Sequence, residues 1–253
     1  MVSALHRPLA RLSPAFASAL FVGLAPGACQ PRAPATFHIS GAAASATEWT
    51  GGQPSPVPSA VEASSVVDGG SHRPWVLHIG DSFVEAFFAQ NLAPRFKAAG
   101  ARYVVQAETA TYTTTWASSE QLESWLDDHP SLVLITLGAN EVTLPVPEMR
   151  ARAVERLVQR VSAAATSCVW ITPLTWKGDT GILQVIHDHC SPCLFFDSDA
   201  VVGELSANER QPDRIHPSPR GGARWAAAFW DWLEDHRDRR GAPWSLTSFE
   251  RRL

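Results

Sequence analysis

The stretch VLHIGDSFVEAFF at residues 76–88 changes character at its centre. An apolar run stops at Gly80-Asp81-Ser82, and an apolar run of helix-forming residues begins immediately afterwards. This change predicts a buried strand, a sharp corner and a helix. Ser82 would then lie at a helix N-terminus, where backbone N–H groups and the helix dipole stabilise an anion. For the tripeptide taken alone, a simpler interpretation is favoured, in which Asp81 or Ser82 only caps the helix.

The same alternation of short and long apolar segments continues along the chain. Short runs rich in β-branched and aromatic residues predict strands at residues 75–79, 103–106, 132–137, 168–172 and 193–196. Longer amphipathic runs predict helices at residues 84–99, 118–128, 148–165, 180–188 and 220–237. This order predicts an α/β fold with a five-stranded parallel sheet covered on both faces, because parallel neighbours need helical crossovers. Ligands of such sheets bind beyond the carboxyl ends of the strands.

Length and charge limit the classes of function. A chain of 253 residues accommodates one sizeable α/β domain with extra segments. The formal net charge is -4, and the Lys and Arg residues are scattered along the sequence, so no nucleic-acid partner is expected. The chain has an unusually large number of Trp residues, ten. Tryptophan recurs where sugars or other ligands stack, but most of these residues are expected in the core.

The N-terminus has the order of an export signal: basic side chains, an apolar run and then small residues that lead to Cys29. The apolar run at residues 15–24 is too short for a permanent membrane anchor. The sequence LAPGAC that ends at Cys29 resembles a bacterial lipoprotein cleavage box, although Pro26 departs from its usual pattern. Residues 1–29 are therefore predicted to be a signal peptide of an exported protein, periplasmic or at the cell surface. Lipidation of Cys29, with membrane attachment, and cleavage nearby by an ordinary signal peptidase are both open.

Composition also divides the rest of the chain. Residues 30–72 are rich in Ala, Ser, Pro and Gly, have few large apolar side chains and are predicted to form a disordered linker. The folded domain is predicted at residues 73–240, and residues 241–253 are predicted to be a C-terminal tail. The densest basic stretch, Arg239, Arg240, Arg251 and Arg252, lies at this end and is predicted to be solvated.

The cysteines predict one disulfide whose pairing stays open. If Cys29 carries lipid, Cys168, Cys190 and Cys193 remain, and an oxidising compartment favours one bridge and one free thiol. The C-x-x-C spacing of Cys190 and Cys193 also occurs in redox and zinc sites. No second C-x-x-C pair accompanies it, so a structural disulfide is favoured and no metal site is predicted.

Two further motifs follow predicted strands. After the third strand, the G-x-N motif that ends at Asn140 places a neutral amide donor at the same rim as Ser82. Before the last helix, Asp213 and His216 are three residues apart and can meet on one side of a turn. Asp213 can then accept a hydrogen bond from one ring nitrogen of His216, which leaves the other nitrogen free as a base.

The order of these three motifs resembles the SGNH (GDSL-type) hydrolase family over residues 73–236. The motifs are the Gly-Asp-Ser corner at Ser82, the G-x-N motif at Asn140 and the D-x-x-H motif from Asp213 to His216. The resemblance implies a flavodoxin-like three-layer α/β/α sandwich that cleaves esters without a cofactor. It also implies that Ser82 is the nucleophile, His216 the general base and then acid, and Asp213 the residue that orients the imidazole.

The oxyanion hole implied by the resemblance is incomplete in one respect. It would contain the Ser82 backbone N–H, the Asn140 side chain in the turn after Gly138, and the N–H of a glycine after the second strand. The segment at residues 107–116 has no glycine, so Ala110 or Thr111 is expected to supply that donor. Glu141 also stands where the family commonly has Asp.

The substrate is the least determined part of the interpretation. Trp116 and Trp176, each in a loop after a predicted strand, are expected to form aromatic walls for a substrate, although packing over the sheet edge is an equal alternative for both. Export and loop tryptophans favour an extracytoplasmic glycan or cell-wall O-acyl ester, with a small lipid or aryl ester as the alternative. An O-acyltransferase on the same side chains and a non-catalytic carbohydrate-binding module are the competing functions.

Overall fold

The computed structural model describes residues 73–247. Within that range the strands are β1 (Trp75–Gly80), β2 (Arg102–Ala107), β3 (Leu132–Thr136), β4 (Ser167–Ile171) and β5 (Leu194–Phe196). All neighbours are parallel and the strand order is β2-β1-β3-β4-β5, which is the order of flavodoxin-like folds. The predicted fold class is therefore confirmed. The predicted signal peptide and linker, residues 1–72, lie outside the described residues, as does the end of the predicted tail.

Helices cover both faces of the sheet. In the described range they are α1 (Ala89–Ala98), α2 (Thr113–Ala117), α3 (Glu120–Asp127), α4 (Ala151–Ala163), α5 (Ile182–His189), α6 (Ser198–Val202) and α7 (Pro219–His236). Alternate side chains of β1 enter different hydrophobic clusters: Leu77 and Ile79 pack with residues of α3, α4 and α5, whereas Val76 packs with residues of α1 and α7. Two apolar layers on one sheet produce the three-layer sandwich. The short helices α2 and α6 were not predicted.

The helix predicted at residues 84–99 is interrupted. A π-helical stretch, Val84–Phe88, precedes α1, and Phe87 within it has a φ of 63°. On α7, a Cβ placed on Gly222 would lie 2.7 Å from Phe87 Cβ, so the two backbones meet where α7 has no side chain. The prediction of one continuous helix is wrong, because contact with α7 selects an irregular turn that the local apolar pattern does not reveal.

The disulfide joins Cys168 at the start of β4 to Cys193 just before β5, with 4.7 Å between their Cα atoms. The structural disulfide that the sequence favoured is therefore present, and Cys190 is the free cysteine of the described range. Burial raises the pKa of the Cys190 thiol to about 11, so it stays protonated at neutral pH. The bridge closes a loop with a sequence separation of 25, a length at which a cross-link stabilises the fold by about 3 kcal/mol.

The packed domain extends past the predicted boundary at residue 240. Trp244 is 1% exposed, and its ring lies edge-on to Phe96 and Trp230 at centroid distances of 4.9 and 5.9 Å. The Arg237 guanidinium carbon lies 4.1 Å from the Trp244 ring centroid. Residues 241–243 are exposed, but the prediction of a solvated tail is wrong at Trp244, because this large aromatic side chain is buried. No helix among residues 73–247 has the length and apolar character needed to cross a membrane.

Candidate active site

The corner after β1 is fixed by close contact with β3. A Cβ placed on Gly80 would lie 2.3 Å from the Thr136 carbonyl oxygen, so only glycine fits where the two strands meet. The next backbone N–H, of Asp81, donates to the same oxygen over 3.3 Å. Asp81 Oδ1 accepts from the Phe83 backbone N–H over 2.9 Å. The side chain that accepts from the backbone of this turn is therefore Asp81, and the Ser82 hydroxyl bonds to a different partner.

That partner is His216. Ser82 Oγ lies 2.8 Å from His216 Nε2, and His216 Nδ1 lies 2.7 Å from Asp213 Oδ2. An ionised carboxylate only accepts, so Nδ1 carries the ring proton and Nε2 can accept from the serine hydroxyl. The hydrogen bond from His216 is the main cause that lowers the pKa of Asp213 below its usual value, and so favours the ionised carboxylate. The side chains of Ser82, His216 and Asp213, which the sequence analysis predicted to act together, therefore form a continuous hydrogen-bonded chain.

The turn that carries Asp213 and His216 is held by its own backbone. Asp213 Oδ1 accepts from the N–H groups of Ile215 and His216 over 2.9 and 3.1 Å. Arg214 has a φ of 60° and donates its N–H to the Gln211 carbonyl over 2.9 Å, which reverses the chain between the two residues. Asp213 thus fixes both the ring and the main chain of His216.

Asn140 lies on the same rim, in the turn after β3. Gly138 has a φ of 118°, a left-handed conformation that lets the chain turn directly after the strand. Asn140 is exposed, and its Nδ2 donates one hydrogen to the Thr111 carbonyl over 2.9 Å. An amide nitrogen has a second hydrogen, and among the described residues nothing accepts it. The loops after β2 and β3 are therefore joined at this point.

Ala110 occupies the position where a glycine is favoured. It has a φ of 61°, and it is exposed, so the strain comes from the backbone and not from packing. The next residue, Thr111, is 4% exposed, and its Oγ1 donates to the Glu108 carbonyl over 2.7 Å and accepts from Trp116 Nε1 over 3.0 Å. These bonds hold the loop in place, and the left-handed backbone of Ala110 is one that glycine adopts without strain.

A β-branched side chain at this position should destabilise the protein. We expect Ala110→Val to lower the free energy of unfolding by about 1–2 kcal/mol, because a branched Cβ crowds a left-handed backbone. Ala110→Gly is expected to stay within about 1 kcal/mol of wild type, because relief of strain offsets the larger entropy of the unfolded chain. Urea denaturation of the three proteins measures both changes. Equal stabilities for the valine and alanine proteins would contradict the strain argument.

The two tryptophans predicted as substrate walls differ. Trp116 is 4% exposed in α2, and its ring centroid lies 6.2 Å from that of Trp125. The expectation of an exposed wall at Trp116 is wrong, because α2 turns this side chain into the core. Trp176 is partly exposed in the loop after β4, and the Lys177 ammonium lies 5.9 Å from its ring centroid.

Glu141 has a larger structural role than its place in the sequence suggests. It is 1% exposed, and its Oε2 accepts from Thr113 N and Oγ1 over 3.2 and 2.7 Å. Its Oε1 accepts from Arg150 Nε over 2.6 Å. The carboxylate ties the start of α2 to the turn that carries Asn140, and the longer Glu chain provides the reach.

Asp81 is a buried carboxyl close to Glu141. It is 1% exposed, and its Oδ2 has no hydrogen-bond partner among the described residues. Burial, with a smaller effect of the Glu141 charge, raises the pKa of Asp81 to about 7. The folded protein therefore keeps the Asp81 proton at pH values where the unfolded chain has lost it.

The raised pKa predicts a pH-dependent stability difference. The stabilisation that the neutral Asp81 carboxyl provides is complete below the unfolded pKa of 3.8, and it is lost as the pH rises towards about 7. We expect Asp81→Asn to gain about 2 kcal/mol in unfolding free energy relative to wild type between about pH 5 and about pH 8. Urea denaturation at both pH values measures the gain, with the exposed Asp231→Asn as control. A constant difference between Asp81→Asn and wild type would refute the prediction.

The profile of the GDSL-like Lipase/Acylhydrolase family matches residues 78–224, which is more than half of the chain. The chain belongs to this family. The match begins in β1, ends in α7 and includes every residue of the rim described above. As a GDSL-type protein with this domain, it is a carboxylic ester hydrolase, and the family resemblance read from the sequence is confirmed.

Several solved structures share the fold of this GDSL-type domain. TesA is 18% identical with a TM-score of 0.53, and the match covers 64% of this chain and 98% of TesA. A catalytic mutant of Axe2, an acetylxylan esterase from Geobacillus stearothermophilus, is 18% identical with a TM-score of 0.53, covering 69% of this chain and 97% of Axe2. The psychrotrophic esterase EstA from Pseudoalteromonas sp. is 18% identical with a TM-score of 0.50, covering 64% of this chain and 97% of EstA.

No curated protein sequence matches the chain. Among residues 73–247 no three His, Cys, Asp or Glu side chains are grouped closely enough to hold a metal ion.

Proposed function

We propose that this GDSL-type protein is an exported esterase that removes O-acetyl or other short acyl groups from a glycan or cell-wall substrate. The observation that carries the proposal is the pair of short contacts from Ser82 Oγ through His216 to Asp213 Oδ2. Serine is a weak nucleophile at its ordinary pKa and becomes reactive when a base accepts its proton. The His216 ring is oriented for that transfer.

The reaction would proceed in two halves. Ser82 Oγ attacks the acyl carbonyl carbon while its proton moves to His216 Nε2, and the carbonyl oxygen gains the negative charge. Asn140 offers its second amide hydrogen to that oxygen, together with the Ser82 N–H and an N–H of the loop at Ala110 and Thr111. The intermediate collapses when His216 gives its proton to the alcohol oxygen. Water, activated by the same imidazole, then releases the acid and restores Ser82.

The substrate class has support from two directions. Axe2 is an acetylxylan esterase by name, and this chain shares its fold. The export signal predicted at residues 1–29 would deliver the protein to the compartment where cell-wall and extracellular glycans occur. The mass of the mature N-terminus and cell fractionation test export, and they also decide between lipidation of Cys29 and ordinary cleavage.

The decisive experiment measures acyl transfer and labelling together. We expect the protein to hydrolyse p-nitrophenyl acetate and to release acetate from an acetylated polysaccharide. A phosphonate ester that reacts with activated serines should modify Ser82, as peptide mass spectrometry can show. Acetyl transfer to an added oligosaccharide in place of acetate release would indicate an acyltransferase. Absence of both turnover and labelling would leave a carbohydrate-binding module.

A further inference from the structure

A polar groove lies along the loop that carries Asp213 and His216. It consists of two adjoining cavities of about 440 and about 620 Å³ that share Glu204 and Arg210. The first is bounded by the loop after β4, and the second by the segment from Glu204 to Arg214. The side chains used in the argument are Trp176, Lys177, Glu204, Arg210 and Gln211.

The groove wall is built onto the backbone of the His216 loop. Arg210 Nη1 donates to the Ile215 carbonyl over 2.7 Å, and Arg210 Nη2 donates to the Thr175 carbonyl. The Gln211 backbone N–H donates to the His216 carbonyl over 2.8 Å. Arg210 thus joins the loop after β4 to the loop of His216, and the position of the groove relative to the imidazole is fixed.

Three other side chains of the groove make no hydrogen bond to the described part of the chain, although Trp176 packs partly against the hydrophobic clusters of both sheet faces and Glu204 lies close enough to Arg210 to interact with its charge. Asp199 uses both carboxylate oxygens on Thr175, over 3.0 Å to the backbone N–H and 2.6 Å to Oγ1, so it supports the wall. Among residues 73–247, the indole N–H of Trp176, the ammonium of Lys177 and the carboxylate of Glu204 have no hydrogen-bond partner. The groove therefore presents one aromatic ring together with donors and an acceptor.

The direction of proton transfer decides which part of the substrate lies there. His216 must give its proton to the alcohol oxygen of the ester, so the alcohol part leaves on the side of the imidazole. The carbonyl oxygen lies on the other side, towards Asn140 and Thr111. Exposed apolar side chains do not distinguish the two sides, because Tyr112, next to Thr111, is 41% exposed and Val201, on α6 with Asp199, is 51% exposed. Because Arg210 and Gln211 of the groove bond to the backbone of Ile215 and His216, the polar groove is assigned to the alcohol side.

We propose that the polar groove binds the glycan part of the substrate, with a sugar ring against Trp176 and sugar hydroxyls on Lys177 and Glu204. This inference rests on the proposed function and adds the subsite and the orientation of the ester. An apolar acyl chain would leave these charged groups without partners, at a cost in desolvation. A sugar offers both an apolar ring face and hydroxyl groups, which matches an indole flanked by a cation and a carboxylate.

The first test exploits the two lysines of the chain, Lys97 and Lys177. Both are exposed, and Lys97 lies on α1, away from the groove. The rate of acetylation of each lysine by an amine-selective reagent is measured by peptide mass spectrometry in the Ser82→Ala protein, with and without acetylated xylo-oligosaccharide or chito-oligosaccharide. We expect either oligosaccharide to slow modification of Lys177 severalfold and to leave Lys97 unchanged. Equal protection of both lysines, or of neither with both oligosaccharides, overturns the proposal.

The second test separates binding of the glycan from hydrolysis of esters in general. We expect Trp176→Ala to raise KM for the acetylated oligosaccharide about tenfold, corresponding to the loss of one aromatic contact, and to raise KM for p-nitrophenyl acetate much less. Lys177→Ala should also raise KM more for the acetylated oligosaccharide than for p-nitrophenyl acetate, but by a smaller factor than Trp176→Ala. Lys97→Ala should have the KM values of the wild type for both substrates. Equal effects of Trp176→Ala on KM for the two substrates, with a lowered melting temperature, would assign Trp176 a structural role and overturn the subsite.

Failure of the wild type to hydrolyse p-nitrophenyl acetate would instead count against the proposed function. Protection of Lys177 is measured without turnover, so it tests the subsite separately.

Discussion

Replacement of Ser82 by alanine is expected to lower kcat for p-nitrophenyl acetate by about 10⁶-fold, as removal of a serine nucleophile does in other triad hydrolases. The hydroxyl that forms the acyl bond is lost, and only the oxyanion donors and substrate binding remain to accelerate attack by water. The variant should fold normally, because the Ser82 side chain donates only to His216 and is partly exposed. The measurements are steady-state kinetics and melting temperature.

A matched control shows that the loss is specific to this position. Ser118→Ala removes an exposed hydroxyl whose bonds go to the carbonyls of Thr114 and Thr115 in α2. It should keep wild-type turnover and phosphonate labelling, whereas Ser82→Ala should lose both. If Ser82→Ala retained turnover within about tenfold of wild type, covalent catalysis by this hydroxyl would be excluded.

Replacement of His216 by alanine is expected to cause a loss of similar size, about 10⁶-fold in kcat, because no other described group lies at hydrogen-bonding distance to take the Ser82 proton. Asp213→Ala should lose about a hundredfold less, because the carboxylate orients the ring and does not exchange a proton with substrate.

His187 provides the control for this substitution. Its side chain is 58% exposed on α5, and it has a carboxylate partner, Asp188, at 2.9 Å from Nδ1. His187 and Asp188 form the same type of imidazole–carboxylate pair as His216 and Asp213, but His187 makes no contact with Ser82. The His187→Ala substitution should therefore leave kcat unchanged. A His216→Ala protein with near wild-type turnover would show that a different base acts on Ser82.

The fold was predictable because its signals are local. Five apolar runs and the helices between them follow directly from residue periodicity, and all five strands lie within two residues of their predicted ends. The helix α2 was missed, since it consists of TTTWA, and β-branched threonines favour strands and turns. The break at Phe87 and the burial of Trp244 depend on α7, which is distant in sequence, so no local pattern encodes them.

The site residues that could be predicted are likewise those with a local sequence signal. Ser82, Asn140, Asp213 and His216 could be named because each stands in a short motif at a strand end, and the order of the motifs resembles a family. The left-handed backbone of Ala110 could not be read from sequence, since alanine rarely adopts it. The partner of Cys168 and the clamp formed by Glu141 depend on distances between strands and loops. Such distances exist only once the sheet is assembled.

The contact between Gly222 and Phe87 has a consequence for how this scaffold tolerates change. α7 starts three residues after His216, and the π-helical stretch starts two residues after Ser82, so this main-chain junction spaces the two halves of the reaction centre. Arg210 and Gln211 of the polar groove also hold the His216 loop through bonds to its backbone, whereas Trp176 and Lys177 form no hydrogen bond to that loop, all of which lies within residues 73–247. Exchange of Trp176 or Lys177 is therefore expected to alter substrate preference while the distance between Ser82 and His216 is kept.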